Sequence, residues 1–180
     1  MSSLSLLSPR PGELDRESFL ESYGGVYESA PWVAEAVWPE AAQENLDAPA
    51  AMGAAMRAVV DAAGEEQQLA LLRAHPELAG RAAIAGELTD ASTREQAGAG
   101  LDRCAPEEFE EFLTLNARYN EKFGFPFIIA VAGLSRADIL AAFRARLNNS
   151  RKTEFETALN EVHKIAALRL AAGAGSKEAS

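Results

Sequence analysis

One cysteine and two histidines are all that the 180 residues offer in thiol and imidazole chemistry. Cys104 alone closes no intrachain disulfide and builds no thiolate metal cluster, which points to a reducing, intracellular setting. His75 and His163 stand in neither HxH nor HExxH spacing, so no metal site is expected. Long apolar runs are missing too: nothing approaches the roughly 20 residues that a membrane-spanning helix needs. The opening "MSSLSLLSPRPG" has neither a basic region nor a sustained apolar segment, so no signal peptide is expected. Positive charge is also short, with 17 Lys and Arg against 27 Asp and Glu, a formal net charge of −10. Such a surface repels phosphate backbones and anionic headgroups, which argues against nucleic acid and membrane as partners. An anionic small molecule stays open wherever a local Arg or Lys receives it. A soluble, cytoplasmic protein is the expectation.

Alanine is what the chain has in abundance, while β-branched residues are sparse. That balance favours helices, because alanine loses no side-chain entropy in one. "LDRESFLESYGG" predicts a short helix capped by Asp15, and "SAPWVAEAVW" another with a proline in its first turn. "LDAPAAMGAAMRAVVDAAG" predicts a longer helix capped by Asp47 and closed by Gly64. "PEEFEEFLTLNARYNEKFG" is the clearest of all, with acids in its first turn and Phe109, Phe112, Leu113, Leu115, Asn116 and Tyr119 near helical spacing. "FPFIIAVAGL" is strand-like but has no partner run, so it predicts a buried extended turn or short helix. Ser135 and Asp138 form a capping pattern ahead of the next helix, and a final long helix runs over 151–171. The fold expected is all-α: one compact helical domain over 13–171, between a loose arm (1–12) and a loose tail (172–180).

Several positions invite chemistry, each with a plainer alternative. On the last helix Phe155, Leu159, Val162 and Ala166 mark one face, and Arg169 is the next member of that series. An arginine there must snorkel out, pair with an acid, or line a cavity and receive an anion. His163 and Lys164 fall at the edge of that face or off it and are assigned to the surface. Pro76 pushes His75 toward extended backbone, so His75 reads either as a helix-end hydrogen-bonder or as a reagent. Ser92 and Glu95 match a capping box, which accounts for both as architecture. Alternatively that helix start faces a pocket, with the hydroxyl and the Gln96 amide holding a polar ligand. The break at Gly124 and Pro126 within an apolar run leaves backbone groups that need partners, and a planar urea or amide could supply some of them.

"AHPELAGR", "SxxEQxGAGLD", "FxxLNxxYNEKFGFPFIIAV" and "ALNEVHKIAALRL", in this order and spacing, resemble the 2-oxo-4-hydroxy-4-carboxy-5-ureidoimidazoline (OHCU) decarboxylase family. The family closes the route from urate to allantoin, and the resemblance runs from about Leu14 to Leu170. It implies an all-helical, dimeric, cofactor-free enzyme acting on OHCU. His75 then falls on the catalytic acid/base, Glu95 on the carboxylate working with it, and Arg169 on the motif's arginine. Pro76, Ser92, Thr93, Arg94 and Gln96 fall on substrate-binding positions. So do Phe127, Ile128, Ile129, Ala130 and Val131, the last five through their main chain. Glu77 and Arg81 depart from the residues usual at their places, and neither is expected to touch substrate. The closing "KEAS" is not a peroxisomal address.

Two other classes stay in view. A non-catalytic helical module binding a purine breakdown product would need the same arginine and backbone cradle but no proton donor. A metal-dependent amidohydrolase lacks its ligand set.

Overall fold

The computed structural model describes residues 5–43, 45–79 and 89–173. Among them every regular element is helical, as the alanine-rich composition predicts. Eight α-helices follow in order: α1 (Arg16–Tyr23), α2 (Pro31–Ala41), α3 (Pro49–Ala62), α4 (Glu65–Arg73), α5 (Asp90–Gly98), α6 (Pro106–Phe123), α7 (Arg136–Arg146) and α8 (Arg151–Gly173). Short 3-10 turns occupy Pro11–Glu13 and Leu101–Arg103. Arg81, the first four residues of the expected arm and most of the expected tail lie outside the described residues. The chain gathers into two compact units, Met1–Leu71 with His163–Ser180, and Leu72–Val162.

In the first unit, Asp15 caps α1 as its sequence predicts, accepting the Ser18 N–H at 2.8 Å. That bond holds the Asp15 carboxyl below its ordinary pKa. Pro31 opens α2, which runs through Pro39 to Ala41, past the expected end at Trp38. Its buried residues Val33, Ala34, Val37 and Ala41 line one face. On α3, Met52, Met56 and Val60 recur every four residues and are wholly buried. Asp47 does not cap α3, because the N-cap is Ala48 and makes no side-chain bond. Pro49 in the first turn has no N–H to satisfy, which lessens the need for a cap. Asp47 turns instead to the N-terminal segment, accepting the Gly12 N–H at 2.9 Å and pairing with Arg10 at 3.2 Å. Leu7 is 1% exposed and its N–H reaches Asp47 O at 2.8 Å, while Ser5, Leu6, Pro9 and Arg10 are exposed.

In the second unit, α6 ends at Gly124 with φ 78°, the left-handed conformation that a side chain would strain. Residues 126–131 then carry no regular structure and lead into a turn at Ala132–Gly133, with Phe125, Phe127, Ile128 and Val131 buried. Tyr119 of α6 supports them, its ring 5.9 Å from Phe125 and 5.4 Å from Phe127. Phe127 stacks on Phe143 of α7 at 3.9 Å. The capping pair before α7 closes reciprocally: Asp138 N–H reaches Ser135 Oγ at 3.1 Å, and Ser135 N–H reaches Asp138 Oδ2 at 3.0 Å.

The buried side of α8 is rotated from the one expected. Phe155 and Leu159 are only half-buried, while Glu154 and Ala158 are fully buried. A carboxylate at the centre of a buried face defeats hydropathy patterning, and it is tolerated because three donor side chains reach it, as described below. His163, assigned to the surface, is 6% exposed, whereas Lys164 is exposed as expected.

Candidate functional site

Pro76 stops α4 from continuing, and His75 stands half-buried just beyond the helix end with its N–H on Leu72 O at 3.2 Å. Its Nδ1 lies 3.4 Å from Pro76 O. Ala79, a little further on, adopts φ 49°, a left-handed conformation that costs a residue with a Cβ. Three carboxamides hold this segment. Gln96 Oε1 accepts the Ala79 N–H at 3.1 Å, and Gln96 Nε2 donates to Glu77 O at 3.4 Å. Asn116 Nδ2 donates to Leu78 O at 3.0 Å, and Asn120 Nδ2 donates to Glu77 Oε1 at 2.6 Å. Just before His75, Arg73 Nε donates to Gly124 O at 2.9 Å, tying α4 to the turn after α6.

Helix α5 begins earlier than its sequence suggests. Thr89 is the N-cap, its hydroxyl accepting the Ser92 N–H at 3.2 Å, and Asp90 opens the first turn. Ser92 is therefore the third helical residue rather than the cap, and it is buried, 3% exposed. Glu95 is half-buried and Gln96 buried, while Thr93 and Arg94 are exposed. Arg94 folds back on Asp90 O at 3.2 Å, and the Thr93 N–H is spent on Thr89 O at 2.9 Å.

The irregular segment after α6 is held by charge. Arg146 Nη1 donates to Ile128 O at 2.7 Å, and its guanidinium lies 4.3 Å from the centre of the Phe127 ring. The same arginine pairs with Glu154 at 2.9 Å. Glu154 also accepts from Asn149 Nδ2 at 2.8 Å and from the Tyr119 hydroxyl. Burial, with the carboxylate bond second, pushes the Tyr119 pKa well up. Glu161 Oε2 accepts the Ala130 N–H at 2.9 Å, and Val131 O accepts from Leu134.

Arg169 belongs to the first unit, where Nη1 meets Glu28 Oε2 at 2.7 Å and the carbonyls of Gly25 and Val26 at 3.3 and 3.4 Å. One helical turn or more before it, His163 Nδ1 sits 2.7 Å from the Tyr27 hydroxyl and Nε2 3.2 Å from Asp61 Oδ1. An ionised Asp61 requires Nε2 to carry the proton, leaving Nδ1 to accept from Tyr27. Burial lowers the His163 pKa, opposed by Asp61, and burial raises that of Tyr27. Among the described residues, no three His, Cys, Asp or Glu side chains gather as a metal ligand set, and no helix is long and apolar enough to cross a membrane.

Residues 12–171 match the family profile described as OHCU decarboxylase. The chain belongs to the OHCU decarboxylase family. It is 48% identical to the 2-oxo-4-hydroxy-4-carboxy-5-ureidoimidazoline decarboxylase of Halalkalicoccus jeotgali over 158 residues, 88% of this chain and 86% of that one. The protein of the same name from Haloferax volcanii is 46% identical over 88% of this chain and 90% of its own. A crystal structure of (S)-allantoin synthase superposes with a TM-score of 0.73 at 32% identity, covering 96% of this chain and 56% of that one.

Within this family member, α6 is the common support of two motif segments. One stretch of it, Asn116 and Asn120, holds the residues after His75 and Pro76, while Tyr119 packs under Phe127. Gln96 joins the first of these segments to α5, which carries Ser92 and Glu95. What sequence reasoning missed is the set of partners: Thr89 for α5, Glu28 for Arg169, Arg146 and Glu154 beneath Ile128, Asn120 for Glu77. Only two signals were available locally. Asn116 and Asn120 lie four apart on an otherwise apolar helix face, and Thr89 precedes Asp90 as caps often do.

Proposed function

We propose that this chain decarboxylates OHCU to (S)-allantoin and CO2 with His75 as the acid/base and Glu95 as the carboxylate working with it. The observation that carries the reading is the Gln96 side chain, bonded to both Glu77 O and Ala79 N–H. It ties the His75–Pro76 segment to the helix that bears Ser92 and Glu95. Both His75 and Glu95 are half-buried, so each is reachable by a ligand and shielded from bulk water.

Loss of CO2 leaves an electron pair on carbon, and the substrate's own ring C=N beside that carbon is the sink. The protein must then orient the carboxylate, polarise the ring and its hydroxyl, and deliver a proton to one face. An imidazole, with an ordinary pKa of about 6.5, exchanges protons at neutral pH. Glu95 fixes its tautomer or bonds the 4-hydroxyl. Ser92 and Gln96 bind substrate, and Pro76 lines the approach to His75. Thr93 and Arg94 contribute through their place in the turn rather than through their exposed side chains.

Along 127–131, Ile128 O, Ala130 N–H and Val131 O already have protein partners. Ile129 keeps both its main-chain groups among the described residues, one donor and one acceptor as a ureido group requires. Arg169 is assigned to an anionic group of the substrate. Protonation from one side yields a single allantoin enantiomer, where spontaneous decay gives a racemate. The active protein is proposed to be a cytoplasmic homodimer, which light scattering on the purified chain tests.

Circular dichroism during urate oxidation, with and without the protein, decides between enzyme and binder. Rapid appearance of dextrorotatory allantoin, lost in His75→Asn, is the expected result. Unaltered racemic kinetics would leave a binding module for a purine breakdown product.

A further inference from the structure

We infer that Asn116 and Asn120 are positioning residues for His75, acting through the backbone of residues 77–79; the inference rests on the role proposed for His75. The segment from His75 to Ala79 carries little regular structure of its own, and Ala79 is held at φ 49°. A non-glycine residue persists there only when its surroundings over-determine it. The surroundings are side-chain amides on two helices. Asn116 Nδ2 takes Leu78 O at 3.0 Å, Asn120 Nδ2 takes the Glu77 carboxylate at 2.6 Å, and Gln96 takes the residues on either side.

Asn120 Nδ2 also reaches Asn116 O at 2.9 Å, so the two asparagines form one unit on α6. Asn116 is 2% exposed and its Oδ1 has no partner among the described residues. A buried unpaired carbonyl is destabilising, a penalty that a purely apolar residue at this place would avoid. What the asparagine supplies in exchange is the grip on Leu78 O. Neither asparagine is placed against the substrate. Their effect must therefore appear in how well His75 is aimed, in kcat rather than in binding.

The test measures kcat and KM on freshly generated substrate for Asn116→Ala, Asn120→Asp and the exchange pair Asn120→Asp with Glu77→Gln, beside wild type and His75→Asn. Asn120→Asp sets a carboxylate against Glu77; adding Glu77→Gln restores the bond with donor and acceptor exchanged. Each single variant is expected to lower kcat about tenfold or more with KM within about twofold, since sub-ångström misaiming is that expensive. The exchange pair is expected to recover most of kcat. The acid limb of the kcat–pH profile moves in the single variants and returns in the pair, which a mere loss of folded protein does not produce. Wild-type kcat in both single variants overturns the inference. Should Asn120→Asp fail to fold, Asn116→Ala decides alone: a tenfold loss of kcat at unchanged KM supports the inference and wild-type kcat overturns it. If wild type is active and His75→Asn equally so, the reading of His75 fails, and with it this one. If His75→Asn is dead while the asparagine variants are unchanged, only the positioning role fails.

Discussion

Arg169 Nη1 meets Glu28 Oε2 at 2.7 Å, and the two side chains are 10% and 4% exposed. Of the three fates open to an arginine on the inner face of its helix, pairing with an acid is therefore realised. Breaking such a buried pair from one side costs about 3–5 kcal/mol, because the remaining charge is stranded. Arg169→Ala and Glu28→Gln are both expected to lower Tm, by ~2–4 °C per kcal/mol in a chain of this size. Calorimetry with (S)-allantoin then separates the roles: affinity falls for Arg169→Ala and holds for Glu28→Gln. Equal affinity in both variants would leave Arg169 a purely structural residue.

Thr89 and Ser92 should divide stability and binding between them. Thr89→Ala removes the hydroxyl that accepts the Ser92 N–H, a cap worth about 1 kcal/mol, and should lower Tm by ~2–4 °C with substrate affinity kept. Ser92→Ala is expected to weaken substrate binding with Tm nearly unchanged. The reverse pattern in thermal melts and KM would return the cap to Ser92.

Glu154 is wholly buried and holds Arg146, which in turn holds Ile128 O of the segment after α6. Glu154→Ala leaves the guanidinium without its counter-charge and should cost about 3–5 kcal/mol in denaturant unfolding. Glu154→Gln keeps the shape and should lose less stability. It should nevertheless raise KM, because the carbonyl clamp on Ile128 loosens. An unchanged KM in a folded Glu154→Gln protein would detach this network from the site.

His163 gives stability a pH dependence of defined sign. Burial lowers its folded pKa below the ordinary value, so between the two the unfolded chain binds more protons. The stabilisation is complete above about pH 6.5 and is lost as pH falls from there toward the folded pKa. Protonating Nδ1 also removes the acceptor for the Tyr27 hydroxyl. Melting curves between pH 7.5 and the onset of carboxylate titration, roughly pH 4–5, should show this decline, and His163→Gln should flatten it. A slope that survives in His163→Gln would assign it to another group.

Alanine-rich composition, prolines at helix starts and the Asp15 and Ser135 caps made most helices readable from the chain alone, because these signals act within one turn. Gly124 and the partnerless run after it were readable for the same reason. Asp47 and His163 were misplaced through partners far off in sequence, Arg10 and Gly12 for the first and Tyr27 and Asp61 for the second, whereas Ser92 lost the cap to a local competitor, Thr89. The face of α8 was turned by Glu154, whose charge reads as surface until Arg146, Asn149 and Tyr119 are seen to surround it.

By itself the sequence determined the helical class and the family, and it singled out His75 and Glu95 as candidates for acid/base chemistry, since composition, periodicity and ordered motifs are properties of the chain. Tertiary structure alone decided which of those side chains are already engaged. Gln96 clamps a backbone, Arg169 faces an acid, and within 127–131 Ile128 O and Ala130 N–H are taken by an arginine and a glutamate from other helices. A hydrogen bond needs two groups within about 3 Å, and only folding sets that distance between residues remote along the chain.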